Sequence, residues 1–279
     1  MSSEFAVMGI VNVTPDSFSD GGQWLDAGRA VAHGLELESE GAAILDVGGE
    51  STRPGAEPVS LREELRRVMP VIEGLIAAGT GAQISIDTSK ATVVEAALAA
   101  GATLVNDVTA LRADPGIAEL VAAHGTDVCL MHMLGEPRTM QDDPHYDDVV
   151  SDVKAFLQAR MAFAVAEGIA EERILLDPGI GFGKTLQHNL ELVRRLDELA
   201  ALGRPVVMGA SRKSFLGRIT GRDVDDRVAA TVAVNVLAFE RGARVFRVHD
   251  VGPTHDALRV AAATVRRPWP RMTQTISTT

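Results

Sequence analysis

Two polar runs in this chain of 279 residues carry side chains that can do chemistry on a charged ligand. They are Asp46-Val-Gly-Gly-Glu50-Ser-Thr52-Arg53-Pro54-Gly55 and Ser211-Arg212-Lys213-Ser214. A third, Phe246-Arg247-Val248-His249-Asp250, lies near the far end of the chain. Around them Asp87 and Asp177 offer only acceptors, Asn106 offers both roles, and Lys213 only donates. That mixture suits a flat heterocycle with a donor-rich edge. Arg53, Arg247 and His249 suit phosphate oxygens, which guanidinium forks match in geometry. The residues taken together point to a polar heterocycle joined to an anionic group.

Such groups need elements that bring them to one place. Short apolar runs occur at 6–13, 43–47, 83–86, 103–105, 127–131, 174–176, 205–208 and 245–248. Most are unbroken rather than alternating, as expected of strands covered on both faces. Amphipathic segments separate them, at 26–40, 62–78, 92–100, 117–124, 189–202 and 227–241. A further helix is expected over about 148–167, after an irregular loop at 135–146. Gly41, Gly101, Gly125, Gly168, Gly203 and Gly242 follow helical patterns, where a left-handed cap favours glycine. The β-α alternation predicts an α/β fold, a single-domain (β/α)8 TIM barrel over 1–266, with a disordered tail at 267–279.

In such a barrel the chemistry sits at the carboxyl ends of the strands. Those positions hold Asn12, Thr14 and Asp16; Asp46, Glu50, Thr52 and Arg53; Asp87; Asn106 and Asp107; His132; Asp177; Ser211 to Ser214; and Arg247, His249 and Asp250. Each has a plain structural reading. Asp16 follows Pro15 and suits a turn, Asp46 could cap a backbone turn, and Ser211 could cap a helix. That every strand turns polar at the same end is what favours a shared ligand site.

Composition excludes several classes. A net charge of -11 argues against broad nucleic-acid binding. No run has the length of a membrane span, and the first residues lack the parts of a signal peptide, so a cytoplasmic protein is expected. The single cysteine, Cys129, rules out an internal disulfide and reads as a small buried hydrophobe. The 179–185 run resembles a phosphate-binding loop, but Pro178 stands where the first glycine is required. No Cys pair or His-Glu-x-x-His helix supports zinc, and no Gly-x-Ser-x-Gly elbow supports a hydrolase. His33, His124, His145, His188 and His255 read as solvated surface without partners.

With these motifs in view the chain resembles the dihydropteroate synthase family. The resemblance is carried by Met8-Gly-Ile-Val-Asn12-Val-Thr14-Pro15-Asp16-Ser17-Phe18-Ser19-Asp20-Gly21-Gly22, by Asp46 to Gly55, by Ile86 to Lys90 and by Val105 to Val108. It continues through Leu130 to Met133, Asp177 to Lys184, Ser211 to Ser214 and Arg247 to Asp250. It implies a dimeric barrel that condenses 6-hydroxymethyl-7,8-dihydropterin diphosphate with 4-aminobenzoate, assisted by magnesium (Mg2+). Residue by residue, it implies that Asp87, Asn106, Asp177, Lys213 and Arg247 hold the pterin. Asn12, Thr52, Arg53, Arg247 and His249 would meet the diphosphate, Asn12 also reaching the metal. Thr52, Pro54, Phe182, Lys213 and Ser214 would form the 4-aminobenzoate site.

The expected reaction is a dissociative substitution. Diphosphate leaves, Asp87 and Asp177 stabilise the resulting pterin cation, and the neutral amine attacks, with no strong base required. The segments 13–22 and 48–56 are expected to close over the diphosphate. Two rivals stay open: a pterin-dependent methyltransferase on the same barrel, and a paralogue that binds a pterin without catalysis.

Overall fold

A computed structural model describes residues 4–13, 23–51, 57–135 and 139–264, with the side chains of 23–26 left aside. Strands β1 (Ala6–Asn12), β2 (Ile44–Gly48), β3 (Gln83–Asp87), β4 (Leu104–Asp107), β5 (Asp127–Met131), β6 (Ile174–Asp177), β7 (Val206–Met208) and β8 (Ala243–Val248) pair in parallel and close into a barrel in sequence order. The covering helices are α1 (Gln23–Ser39), α2 (Leu61–Ala77), α3 (Ala91–Ala99), α4 (Gly116–His124), α5 (Val149–Ala166), α6 (Leu186–Arg194), α7 (Leu196–Ala200), α8 (Ser214–Thr220), α9 (Val228–Glu240) and α10 (Val251–Thr264). The expected TIM barrel is therefore the fold.

Strand alternation divides the core in two. Outward residues such as Leu45, Val47, Ile84, Ile86, Leu130 and Phe246 pack against Leu37, Val68, Ile72, Leu75 and Leu157 of the helices. Fully burying each aliphatic side chain contributes about 1.5–3 kcal/mol. Inward residues Met8, Ile44, Leu104, Cys129, Leu175, Val207 and Val245 form a separate plug within the barrel. Cys129 is thus the buried hydrophobe its setting suggested. Side chains repeat a face every second residue. Two residues above the plug, the same parity turns Asp46, Asn106, Met131, Asp177 and Arg247 toward the mouth.

The departures from expectation have physical causes. The helix expected over 189–202 is two helices, because Arg195 leaves helical geometry (φ -111°, ψ 29°) and pairs with Glu198 and Asp148. That break lets Val193, Leu196 and Leu199 all stay buried. Helix α10 escaped the periodicity reading because Gly252 and Pro253 stand in its first turn, where proline is tolerated. Helix α8 has only seven residues. His188 is not free surface: it is half-buried, its Nδ1 accepts from the Thr185 N–H at 3.3 Å, and its ring meets Tyr146 edge-on. His255 likewise packs against Phe5, and the His124 ring bonds the Leu120 carbonyl. The tail at 267–279 lies outside the described residues.

Candidate active site

Register sets the floor of the mouth. Asn12 pairs in register with Gly48, Gly48 with Asp87, and Asp87 with Asn106, so the last residues of β1, β2 and β3 and the penultimate residue of β4 share one level. On the other side of the barrel Met131 pairs with Asp177.

Asp46, one of the polar strand-end residues of the sequence with capping as its plain reading, is the hub of this floor. It is fully buried. Its Oδ1 accepts from Ser85 Oγ at 2.6 Å, and its Oδ2 accepts from Asn106 Nδ2 at 3.0 Å and from Arg247 Nε at 2.6 Å. The reading of Asp46 as a backbone cap is therefore replaced by one of side-chain organisation. Arg247 also donates through Nη2 to Asp87 at 2.7 Å. Burial opposes the charge on Arg247, but Asp46 and Asp87 outweigh it and hold its pKa above the usual arginine range. Asp87 is pushed up to about 7 by burial; Arg247 pulls it back, while Asp46, Glu64 and Asp107 add to the rise.

Asp177 approaches the same space from β6. Its Oδ1 accepts from the Gly179 N–H at 2.6 Å, and burial raises its pKa against the pull of that bond and of Arg247, Lys213 and Lys184. Gly179 (φ 66°) is required there, because a Cβ would fall 1.9 Å from the His132 carbonyl oxygen. Lys213 lies along Gly181 and carries its Nζ 4.2 Å from the centre of the Phe182 ring. Phe182 belongs to a small apolar wall with Val108, Met131, Met133 and Met140. Ser214 opens α8 and is exposed. Ser211 Oγ meets His249 Nδ1 at 2.9 Å, so its role is to hold that ring rather than to cap α8.

His132, a strand-end residue of the sequence, forms a buried pair with Lys184, a partner that the sequence did not single out. Lys184 Nζ donates to the Phe182 carbonyl at 2.9 Å and sits 3.0 Å from His132 Nδ1. Burial pulls Lys184 down to about 7, with Asp177 opposing and Lys213 adding. Burial, then the charges of Lys184 and Arg112, take His132 down to about 3. The one available signal was a lysine ending a glycine-rich run, Gly179 to Lys184, where a charged residue should otherwise be solvated. Across the mouth, fully buried Glu64 accepts from Thr88 Oγ1 at 2.6 Å and pairs with Lys90, which also pairs with Glu50.

The barrel thus brings Asp87, Asn106, Asp177, Lys213 and Arg247 to one mouth, with Asn12, Phe182 and His249 on strand ends or loops of the same face. Thr52, Arg53 and Pro54, with Thr14 and Asp16, lie outside the described residues, as does most of 13–22 and 48–56. Among the described residues no group of three or more His, Cys, Asp and Glu could hold a metal, and no helix is long and apolar enough to cross a membrane. Chemically, the mouth offers buried acceptors facing cations, an arrangement that can stabilise opposite charges separating within one ligand.

Comparison with known proteins bears on the family and the fold. The profile of the family described as pterin binding enzyme matches residues 8–249. The dihydropteroate synthase of Escherichia coli K12 is 48% identical over 259 residues, covering 93% of this chain and 91% of that protein. That of Neisseria meningitidis serogroup B is 52% identical over 261 residues, covering 91% and 90%. The structure of the Xanthomonas albilineans dihydropteroate synthase with 4-aminobenzoic acid matches at a TM-score of 0.89 and 53% identity, covering 95% of this chain and 94% of that one. Its complex with 7,8-dihydropteroate matches at 0.86 and 50%, covering 95% of both.

Proposed function

The chain belongs to the pterin-binding enzyme family and, within it, to the dihydropteroate synthases, and we propose how its barrel mouth performs that reaction. As a dihydropteroate synthase it is a transferase of folate biosynthesis: it condenses 6-hydroxymethyl-7,8-dihydropterin diphosphate with 4-aminobenzoate to 7,8-dihydropteroate and diphosphate. The observation that carries the residue assignment is the chain of contacts from Asn106 through Asp46 and Arg247 to Asp87, facing Asp177 and Lys213.

In this reading Asp177 accepts from the 2-amino and N3 groups of the pterin, and Asn106 and Asp87 take the rest of its edge. Lys213 faces the O4 and N5 side, and Arg247 covers the ring. With Nε and Nη2 held by carboxylates, Arg247 meets a diphosphate oxygen through Nη1. His249, Asn12 and, outside the described residues, Thr52 and Arg53 take the other oxygens. When diphosphate departs, Asp87 and Asp177 face the positive charge left on the pterin methylene and ring. Phe182, Lys213 and Ser214, with Thr52 and Pro54, hold the 4-aminobenzoate so that its neutral nitrogen attacks that carbon.

The donor set fits a magnesium ion shared with the substrate. A small hard cation that keeps several waters and phosphate oxygens needs few protein ligands, and Asn12 stands half-buried at the end of β1. Asn12 would hold it, and bound there it would act as a Lewis acid on the leaving diphosphate.

We also place the enzyme in the cytoplasm as a homodimer. Cys129 is buried and unpaired, as suits a reducing compartment. Helix α9 carries no charged residue between Arg227 and Glu240, and its Ala229, Ala233 and Leu237 are exposed. A second copy would cover that apolar face. A coupled assay for diphosphate release, with and without 4-aminobenzoate, tests the function. Release that depends on the amine is expected; amine-independent turnover, or none, would overturn it.

A further inference from the structure

We propose that Arg212 and Asp250 form a positioning pair that sets Lys213 and His249 relative to each other. The inference rests on the reading above, in which Lys213 serves the pterin and His249 the diphosphate.

Arg212 is one of the few described non-glycine residues with positive φ, at 55°. Such a conformation is unfavourable for a long side chain and persists only where its surroundings over-determine it. Here every polar part of the residue is held. Its N–H donates to Thr231 Oγ1 at 3.1 Å, and its carbonyl accepts from Arg227 Nη1 at 3.0 Å. Its Nε and Nη2 reach the two oxygens of Asp250 at 3.0 and 2.6 Å, a bidentate fork. Nη1 reaches Asp225 at 3.2 Å. The Asp250 side chain is 15% exposed and that of Asp225 86%, so the fork to Asp250 is the contact that can carry energy.

The consequence lies in the neighbours. The Arg212 side chain is committed to Asp250 and Asp225. Ser211 Oγ before it meets His249 Nδ1 at 2.9 Å and accepts from the His249 N–H at 3.1 Å. Lys213 after it lies over the Phe182 ring. Asp250 directly follows His249. The loop leaving β7 and the loop leaving β8 are therefore riveted twice, at Ser211 with His249 and at Arg212 with Asp250. Each rivet is adjacent in sequence to a cation assigned to one end of the substrate. The pair thereby fixes the separation of two groups that must act on the two sides of one breaking bond.

The test uses Asp250→Asn, Arg212→Gly and the double variant. Glycine accepts φ 55° without strain, so Arg212→Gly keeps the turn while deleting the fork. Wild-type release of diphosphate in response to 4-aminobenzoate is measured first, and its absence would count against the assigned reaction alone. For the variants kcat/KM for the pterin diphosphate should fall about 10- to 100-fold, as expected of a small misplacement of reacting groups. The double variant should be no worse than the poorer single one, because both remove the same contact. The ring-nitrogen NMR signal of His249 should shift in both single variants, and Asp225→Asn should behave as wild type. Wild-type kcat/KM in folded variants, an unmoved His249 signal, or multiplied losses in the double variant would each overturn the proposal. If Arg212→Gly does not fold, Arg212→Lys, which keeps the charge without the fork, must show the same losses for the proposal to stand.

Discussion

Arg247 and Asp46 meet at 2.6 Å inside the barrel although 201 positions separate them in the chain. The contact joins the last strand to the second and, with Asp87, engages two nitrogens of the guanidinium proposed above to meet the substrate. Because Asp46 also holds Asn106, one carboxylate orients both the amide and the cation of the proposed pterin site. Asp46→Ala should destabilise the protein by about 3–5 kcal/mol, the cost of breaking one side of a buried pair. Urea unfolding checks it, and a change below about 1 kcal/mol would remove Asp46 from its role as hub.

Asp87 should impose an acid limb on activity. Its pKa is pushed up to about 7, so the carboxylate proposed to face the developing cation is lost as pH falls through neutrality. The kcat/KM profile should drop below about pH 7, and the kcat limb should lie lower because bound cationic character favours the ionised form. The stability effect has the opposite sign. The folded-state pKa exceeds the ordinary value of 3.8, so this group's contribution is present at low pH and is lost as pH rises from about 4 to 7. Asp87→Asn should flatten that slope in unfolding titrations; an unchanged slope would assign it to another group.

Asp177→Asn keeps the volume but replaces one acceptor oxygen by a donor. By comparison with single-contact losses at other sites, it should cost about 2–4 kcal/mol in transition-state binding. Near-normal kcat/KM would contradict the bidentate assignment.

Lys184 should give a basic counterpart. Burial lowers its pKa from 10.5 to about 7, so unfolding takes up a proton between those values and stability should rise with pH across that window. Lys184→Met should abolish the rise while costing about 1–3 kcal/mol for the Phe182 carbonyl left unpaired. Thermal unfolding at pH 7 and 9 separates the two effects.

Gly179→Ala tests the turn that holds Asp177. Its Cβ would lie 1.9 Å from the His132 carbonyl in a left-handed conformation, so a loss of about 3 kcal/mol or more is expected, with reduced pterin affinity. Calorimetric binding of a pterin analogue at wild-type affinity would show that the loop rearranges without moving Asp177.

What the sequence by itself determined was the alternation of elements and the strand ends at which polar residues gather. Unbroken apolar runs ending in Asp87, Asn106 and Asp177 report burial and periodicity, which are local properties. The same runs were enough to predict a barrel with its chemistry at one end. Helix α10 and the break at Arg195 were harder to read, because Gly252 and Pro253 mimic a stop and because tertiary burial of Leu196 and Leu199 decides where a helix bends.

Tertiary structure alone decided which polar residues are partners. Asp46 sits in an apolar run like any strand residue, and only its inward parity above Ile44 hinted that it faces the lumen. That Arg247 is already engaged by Asp46 and Asp87, that Lys184 is buried on His132, and that Arg212 grips Asp250 depends on strand register and barrel closure. Those contacts follow from long-range pairing of parallel strands, where residues far apart in the chain meet across a few ångströms. A charge's worth is set by that neighbourhood: its hydration, its partners and the dielectric around it are absent from the linear order of residues.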